Sequence, residues 1–462
     1  MAKHVDRREF LAALGVTMGG LALGGASADL PVAGPAHAQE PAAGRVPARP
    51  VKFGHITILS GPGAILGSPS LKGHTLAAEE INAAGGLLGR RRIETVVADE
   101  AAGVDATVKE LKRMKLSEGI DYFSGIIAAN NQLAIGPVVE DLRLLTIMTE
   151  GCIDRLFEVE VPNPRYLFGM TNILSADGVT TALAAFRAWP EVRRIAVIHP
   201  DYAFGRWFHL HFEAVREKLM PQSEIVSEAW VPFPGTTEFS AHISKMIAAR
   251  PDLVVTAMWG GMYVAFYKQA LGYGLFKTAK LAGNINFGVV PHAIGKDHPE
   301  GALAGVHSNY HFTYPPGGKS PLNQRFVQRY YERWKEYPSY AAEAAYTGLY
   351  LFKAAVERAH KASGGWPDDE AIIKQLEGLS IEAPSGTVTI RKEDHRAYKD
   401  VKLGFSKNLP QYSFPVWDPE RIITVPVGAM TAPPDWPKPG RGHNDPSATV
   451  NWIKTTWPKA RS

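Results

Sequence analysis

Short apolar runs alternate along this chain with longer stretches whose apolar residues recur every third or fourth position. The short runs read as strands and the longer stretches as amphipathic helices. Phe53 to Leu59 is an Ile-rich apolar run of the kind a parallel strand buries on both faces. Ser60-Gly61-Pro62-Gly63 stops it with turn chemistry. The spacing of Leu71, Ala77, Ala78 and Ile81 predicts a helix from about Leu71 to Ala84. Gly85-Gly86 then ends that helix, because glycine adopts the left-handed cap conformation without steric cost. Ile93 to Ala98 begins a second strand, and the three pieces form one βαβ unit with a right-handed crossover. Ligands bind at the carboxyl ends of such strands, so Ser60 to Ser70 is the first place to look for a site.

The alternation continues. A helix starts near Val104 and runs to Lys115, Tyr122 to Ile127 is a strand, Gln132 to Asp141 a helix and Leu144 to Thr149 a strand. A second series follows with strands at Arg194–His199, Ile225–Val231, Leu253–Met258 and Lys280–Ala282. Its helices are expected at Gly178–Trp189, Gly205–Leu219, Glu238–Ala249 and Tyr263–Leu271. Two consecutive alternations predict an α/β protein of two lobes, each a doubly wound parallel sheet, with a cleft between them. Long amphipathic helices at Pro321–Tyr337 and Tyr340–Ser363 come next, and the chain beyond about Trp417 is rich in Pro and Trp.

Composition narrows the classes. The chain has 462 residues, 45% hydrophobic and 21% charged, with a net charge of +4. That balance suits a globular protein of two or three domains and argues against a strongly basic nucleic-acid binder. Arg90-Arg91-Arg92 is the one basic cluster and reads as a solvated turn. A single cysteine, Cys152, allows no intrachain disulfide and no zinc site built on several cysteines. At the N-terminus, Arg7-Arg8 precedes an apolar Gly- and Ala-rich stretch, Leu11 to Ala28, and then Ala36-His37-Ala38. The pattern resembles a twin-arginine signal peptide cut after Ala38, with Ala28 as a second cut site. An ordinary Sec signal or a disordered tail is the alternative. Residues 39–50 read as a flexible leader. No apolar run of membrane-spanning length follows residue 51, so the expectation is an exported protein that is not itself membrane-embedded.

Four segments carry a family resemblance: Ser60-Gly61-Pro62, Leu71-Lys72-Gly73, Glu79 through Gly86, and Leu88-Gly89-Arg90. Together they resemble the opening of the type I periplasmic binding proteins, in the subgroup that serves ABC importers of branched-chain amino acids, amides and urea. The likeness runs over roughly residues 51 to 420. Glu382 to Ile390 with His395-Arg396 is similar to the amide and urea branch. The resemblance implies lobe 1 at 51–172, with a first crossing at Pro162 to Asn172, and lobe 2 at 173–304. It further implies a return to lobe 1 at 305–380 and a closing hairpin segment at 381–420 in the second lobe and hinge. Residues 421–462 are expected as an extended tail wrapped on the surface.

The resemblance also implies a ligand site. Ser60 belongs to the opening loop, where Leu66 replaces a family aromatic. Ala128-Ala129-Asn130-Asn131 overlies the family's serine-rich ligand loop, and its asparagines could either face a ligand or cap a helix. Glu150-Gly151 matches a pair found in the amide and urea branch, and Cys152 takes a threonine position. Glu150, pointing inward and ionised, would disfavour a ligand carboxylate and favour an amine or amide. In the second lobe Phe204 stands where a ligand-stacking tyrosine is usual, and Trp259 where an aromatic closes the cleft. The acid that holds an amino acid's ammonium should fall near Ile285, where no acid occurs, which argues against a standard branched-chain amino acid.

Catalytic signatures do not stand out. There is no Gly-x-Ser-x-Gly elbow and no His-Glu-x-x-His helix. His209 and His211 are spaced to point apart on a helix. Ser60-Gly61-Pro62-Gly63 lacks a third glycine, and Pro62 removes a backbone donor, so it is a poor dinucleotide loop. The expectation is a non-enzymatic binding protein without metal or cofactor. It would close its hinge over an amino acid, amide, urea-like compound or aromatic acid and dock on ABC permease subunits. A ligand-sensing regulatory protein is the runner-up, and an exported cofactor enzyme the third reading.

Overall fold

A computed structural model describes residues 46–457, apart from 152, 173, 234, 285–286, 288, 299, 307, 315–316 and 440–446. The expected signal peptide and its cut near Ala38 lie outside the described residues. Two mixed, mainly parallel sheets with flanking helices form two lobes. The first lobe is built on β1 (Val51–Thr57), β2 (Ile93–Asp99), β3 (Tyr122–Gly125), β4 (Thr146–Met148) and β5 (Leu167–Gly169). The second is built on β6 (Arg194–Pro200), β7 (Glu224–Val231), β8 (Leu253–Thr256), β9 (Lys280–Gly283) and β10 (Leu303–Gly305). Late in the chain come β11 (Ser380–Ala383), β12 (Gly386–Arg391), β13 (Arg396–Ala397), β14 (Val401–Lys407) and β15 (Val416–Val425).

The sheet orders are β11-β12-β13-β5-β4-β3-β1-β2 and β15-β14-β10-β9-β8-β6-β7. Within each, the first five strands are parallel and wound in the same order. The order reverses beside β1 in one lobe and beside β6 in the other, and that is where a doubly wound sheet opens a crevice.

Several expected boundaries move. The first helix runs Ala64–Ala83, not from Leu71, and includes Pro69. Its early turns lie directly on the chain after β1: a Cβ on Gly67 would stand 1.8 Å from the Ile58 carbonyl oxygen. Packing thus holds helical a stretch whose Gly and Pro content argues for a loop. Further along the same helix, a Cβ on Gly73 would meet the Ala342 carbonyl oxygen at 2.0 Å. The helix Tyr340–Ser363 can therefore lie close against it and bring this part of the chain back to the first lobe.

Pro162 to Asn172 is not wholly a crossing, because β5 completes the parallel part of the first sheet before the chain leaves at Met170. The expected closing hairpin in the second lobe also divides. β11 and β12 pair antiparallel, β12 joins β13, and β13 pairs with β5 through Arg396 and Gly169, so the hairpin extends the first sheet. Only β14 and β15 belong to the second. The tail is not an extended wrap either. β15 is its start, and the helix Ala448–Thr456 buries Val450 and Ile453 against the helix Ala203–Leu219.

A buried network ties the crossings. Lys399, between β13 and β14, places Nζ 3.4 Å from Glu343 Oε2 and 2.9 Å from Ser385 Oγ. Ser385 and Thr347 hydroxyls donate to Glu343 Oε1 at 2.9 and 2.7 Å. The Lys399 amide donates to Asn172 Oδ1 at 2.8 Å, joining the link from β13 to β14, the chain's third crossing between the lobes, to the first.

Candidate functional site

The lobes meet over a narrow cleft. On the first-lobe side the carboxyl end of β2 stands behind its wall. Asp99 accepts hydrogen bonds from the Leu59 amide at 2.9 Å and the Ser60 hydroxyl at 2.6 Å. Ser60 is exposed and held outward by this contact, and it is not among the lining residues. The next residue, Glu100, is buried. Its carboxyl accepts from the Ile127 amide at 2.6 Å, the Ala128 amide at 3.2 Å and Asn131 Nδ2 at 2.7 Å. Burial pushes its pKa up to about 7, against the lowering effect of those three donors.

Glu100 thereby shapes the loop that turns Ile127 and Ala129 into the cleft. The following helix starts at Ala129, not Gln132, so Asn130 and Asn131 occupy its first turn. Asn130 is exposed and Asn131 is spent on Glu100; neither lines the cleft, and neither caps the helix, whose N-cap is Ala128. Gln132 joins this loop to the next one. Its Nε2 donates to Gly151 O at 3.1 Å and its Oε1 accepts from the Ile153 amide at 3.2 Å. That second loop presents Glu150 and Gly151 to the cleft. Cys152 and Ile285 lie outside the described residues.

From the second lobe come three lining rings, Tyr202, Phe204 and Trp259, with Phe233 behind them. Trp259 Nε1 donates to the Tyr202 hydroxyl at 2.9 Å. Phe233 stacks on Tyr202 with centroids 4.5 Å apart and planes at 14°. Phe204 is the second residue of the helix Ala203–Leu219 and is itself buried against the cleft. Burial raises the Tyr202 hydroxyl above its ordinary pKa, and the Glu100 and Glu150 carboxyls across the cleft raise it further. The aromatic side thus faces the acidic side within electrostatic reach.

Leu66, Leu174 and Tyr340 complete the lining; sequence reasoning noted Leu66 only as the replacement of a family aromatic and passed over Leu174 and Tyr340. Tyr340 hydrogen-bonds Glu150; burial first, then the Glu150 and Asp177 carboxylates, raise its hydroxyl well above the usual value. Asp177 lies behind Asn284, whose Nδ2 donates to Asp177 Oδ1 at 2.7 Å. Glu100, Gln132 and Tyr202 were also missed, although Glu100 and Tyr202 follow the carboxyl ends of β2 and β6, the signal that could have found them; Gln132 lies inside the helix Ala129–Asp141 and carried no such signal.

Among the described lining residues there is no lysine, arginine or histidine, and Glu150 is the only carboxylate. Among the described residues no three His, Cys, Asp or Glu side chains gather to hold a metal, and no helix is long and apolar enough to cross a membrane. The lobes are in contact at the rim. A Cβ on Gly260 would lie 2.8 Å from the Pro62 carbonyl oxygen, and one on Gly261 3.1 Å from Pro62 Cβ. This is the closed arrangement of the two lobes.

Comparison with known proteins agrees with the architecture. A family model described as periplasmic binding protein matches residues 50–406. The Leu/Ile/Val-binding protein homolog 4 of Brucella melitensis is 25% identical over 368 residues, covering 76% of this chain and 82% of that protein. A solute-binding protein of an ABC transporter from Rhodopseudomonas palustris, solved with 3,4-dihydroxybenzoic acid, superposes with a TM-score of 0.70 at 20% identity. It covers 82% of this chain and 98% of its own. An amino acid ABC transporter substrate-binding protein from Pseudomonas fluorescens superposes at 0.69 with 21% identity, covering 83% of this chain and 96% of its own.

Proposed function

The chain belongs to the periplasmic binding protein family, and on that premise we propose that it is the exported substrate-binding component of an ABC importer. It closes its lobes on a small solute with an apolar or aromatic body and a neutral or cationic polar end, then delivers it to a membrane permease. No reaction is part of this role.

The observation behind this reading is the cleft's asymmetry: Tyr202, Phe204 and Trp259 on one side, Glu150 on the other, and no base in the described lining. Rings offer a flat ligand large contact area at low entropy cost. A ligand carboxylate placed beside Glu150 would meet like charge without a cationic partner, which is costly in a buried site. An amine or amide would instead donate to Glu150. The relatives support a ring-bearing or apolar solute, since one is named for Leu, Ile and Val and another was solved with a dihydroxybenzoic acid. Phe204, Trp259, Ala129, Glu150 and Gly151 are the ligand contacts in this reading, joined by Tyr202 and Tyr340. The paired arginines Arg7-Arg8 and the small residues at Ala36 and Ala38 support twin-arginine export.

A thermal-shift panel of amino acids, short amides, urea, aromatic amines and aromatic acids tests the proposal. A ligand that binds only the folded form adds about 2.7 kcal/mol at a hundred-fold excess over its Kd. An amide or amine is expected to raise the midpoint in the wild type and not in Glu150→Ala. A shift confined to aromatic acids or branched-chain amino acids would overturn the assigned polarity.

A further inference from the structure

The C-terminal segment lies beyond the family match and covers a second, small cavity. Its floor is the first-lobe hairpin, with Arg391, Asp394, Arg396 and Tyr398. Glu158 forms a wall, and the segment itself contributes Trp436 and Lys438. The same segment is fastened on both lobes. Lys438 Nζ donates to the Pro162 carbonyl and the Ala448 amide to Glu158 Oε2 at 2.9 Å, both in the first lobe. Ser447 Oγ lies 2.7 Å from His211 Nε2, and Lys218 Nζ donates to the Trp457 carbonyl at 3.0 Å, both on the second.

The cavity's charges do not cancel within it. Arg396 donates to Asp394 Oδ2 from Nη2 at 2.6 Å and from Nε at 3.0 Å, and Arg391 donates to the same carboxylate from Nε at 2.9 Å. Two guanidiniums therefore share one acid. Lys438 adds a third cation. Glu158 is the other acid of the described lining, with Asp154 behind it; burial, then the Asp154 charge, raises its pKa above the ordinary carboxylate value, which weakens it as a counter-charge.

Hydrogen-bonding capacity is also left over. Among the described residues, Arg396 Nη1, the Tyr398 hydroxyl and Trp436 Nε1 are buried without a partner. Arg396 is only 5% exposed. A guanidinium and an indole N–H can only donate, so what they lack is an acceptor. A buried donor is seldom left unmatched.

We propose that this cavity is a site for a small inorganic anion, which accepts from Arg396 Nη1 and Trp436 Nε1 and fastens the C-terminal segment over the first lobe. The anion supplies the negative charge that Asp394 alone does not, and it is held by groups from both the hairpin and the segment. The site is separate from the interlobe cleft and does not rest on the reading of that cleft.

The test is thermal unfolding of the purified protein at constant ionic strength, titrated with sodium chloride, sulfate or phosphate against a bulky organic buffer anion. At least one of the three is expected to raise the midpoint saturably. In Trp436→Phe, which keeps a ring and removes the donor, and in Lys438→Met, the rise is expected to fall by at least half. The identity of the effective anion separates a halide from an oxyanion. An equal rise in the wild type and both variants would mean general salt stabilisation and overturn the site. So would a midpoint indifferent to all three anions, the result expected if a water molecule meets these donors.

Discussion

Replacing Gly261 with alanine separates closure from folding. Gly261 is the second residue of the helix Gly260–Gly272, where that helix meets the turn Gly61–Gly63 of the opposite lobe. Its added Cβ would stand 3.1 Å from Pro62 Cβ, 3.3 Å from Pro62 Cα and 3.5 Å from Pro62 O. Pro62 is on the other lobe, so the crowding exists only when the lobes are together. With the lobes apart the methyl faces solvent, and alanine in place of glycine favours the helix by at most about 1 kcal/mol. Overpacking by a methyl group costs about 1–3 kcal/mol where the surroundings cannot yield. Pro62 is backbone and ring, and has little freedom to give way. Ligand affinity is therefore expected to fall roughly 5- to 150-fold, the factor that such a differential free energy implies. The assay is calorimetric titration with whichever panel compound gives the largest thermal shift, beside the unliganded melting midpoint of both proteins. The unliganded midpoint is expected to hold or rise. An unchanged Kd would refute the reasoning, and so would an unliganded midpoint that falls as far as the liganded one.

Other outcomes follow from buried charge. Burial holds the His55 pKa at about 3, against about 6.5 in an unfolded chain. Below pH 6.5 the unfolded state alone binds this proton, so the stability His55 contributes is lost as pH falls toward 3. The stability gap between wild type and His55→Gln should shift against the wild type by about 3 kcal/mol from pH 7 to pH 4, read from urea midpoints; a constant gap would refute it. Lys399→Met leaves Glu343 buried without its cation and should cost about 3–5 kcal/mol of stability, most of it recovered when Glu343→Leu is added. If the double variant is no more stable than the single one, the pair is not what holds the third crossing. Gln132→Leu removes the link between the Ile127 and Gly151 loops and should weaken ligand binding at least tenfold with a smaller effect on the unliganded midpoint. Equal losses in both would make Gln132 a residue of stability alone.

Much of this architecture was readable from pattern, because a parallel strand buried on both faces is an apolar run and its helix repeats every third or fourth residue. The readings failed where tertiary contact overrides local preference. Residues 64–70 look like a loop by their Gly and Pro, yet Gly67 is the residue that lets them lie helically on Ile58. The C-terminal region looked extended by its Pro and Trp, yet it supplies an edge strand and a docked helix. In the cleft, Phe204, Trp259 and Glu150 were legible because their side-chain type and their place after a strand agree. Asn131 misled because an amide at the right loop can serve a neighbouring acid as well as a ligand, and only geometry shows Glu100 beside it. Tyr340 was hidden in an N-terminal helical turn far along the chain, brought to the cleft by the packing of its helix on Ala64–Ala83.

The shared winding of the two sheets bears on how such a molecule diversifies. The loops after β1 and β3 in one lobe correspond to those after β6 and β8 in the other, and both sets reach the cleft. A duplicated ancestral half would produce this arrangement and would hand each copy the same small set of variable positions. New specificity can then arise by exchanging a few residues in one copy's loops while the other copy, the sheets and the crossings keep their inherited form. Two grips of like winding, free to diverge separately, would let one scaffold combine them into a wide range of sites.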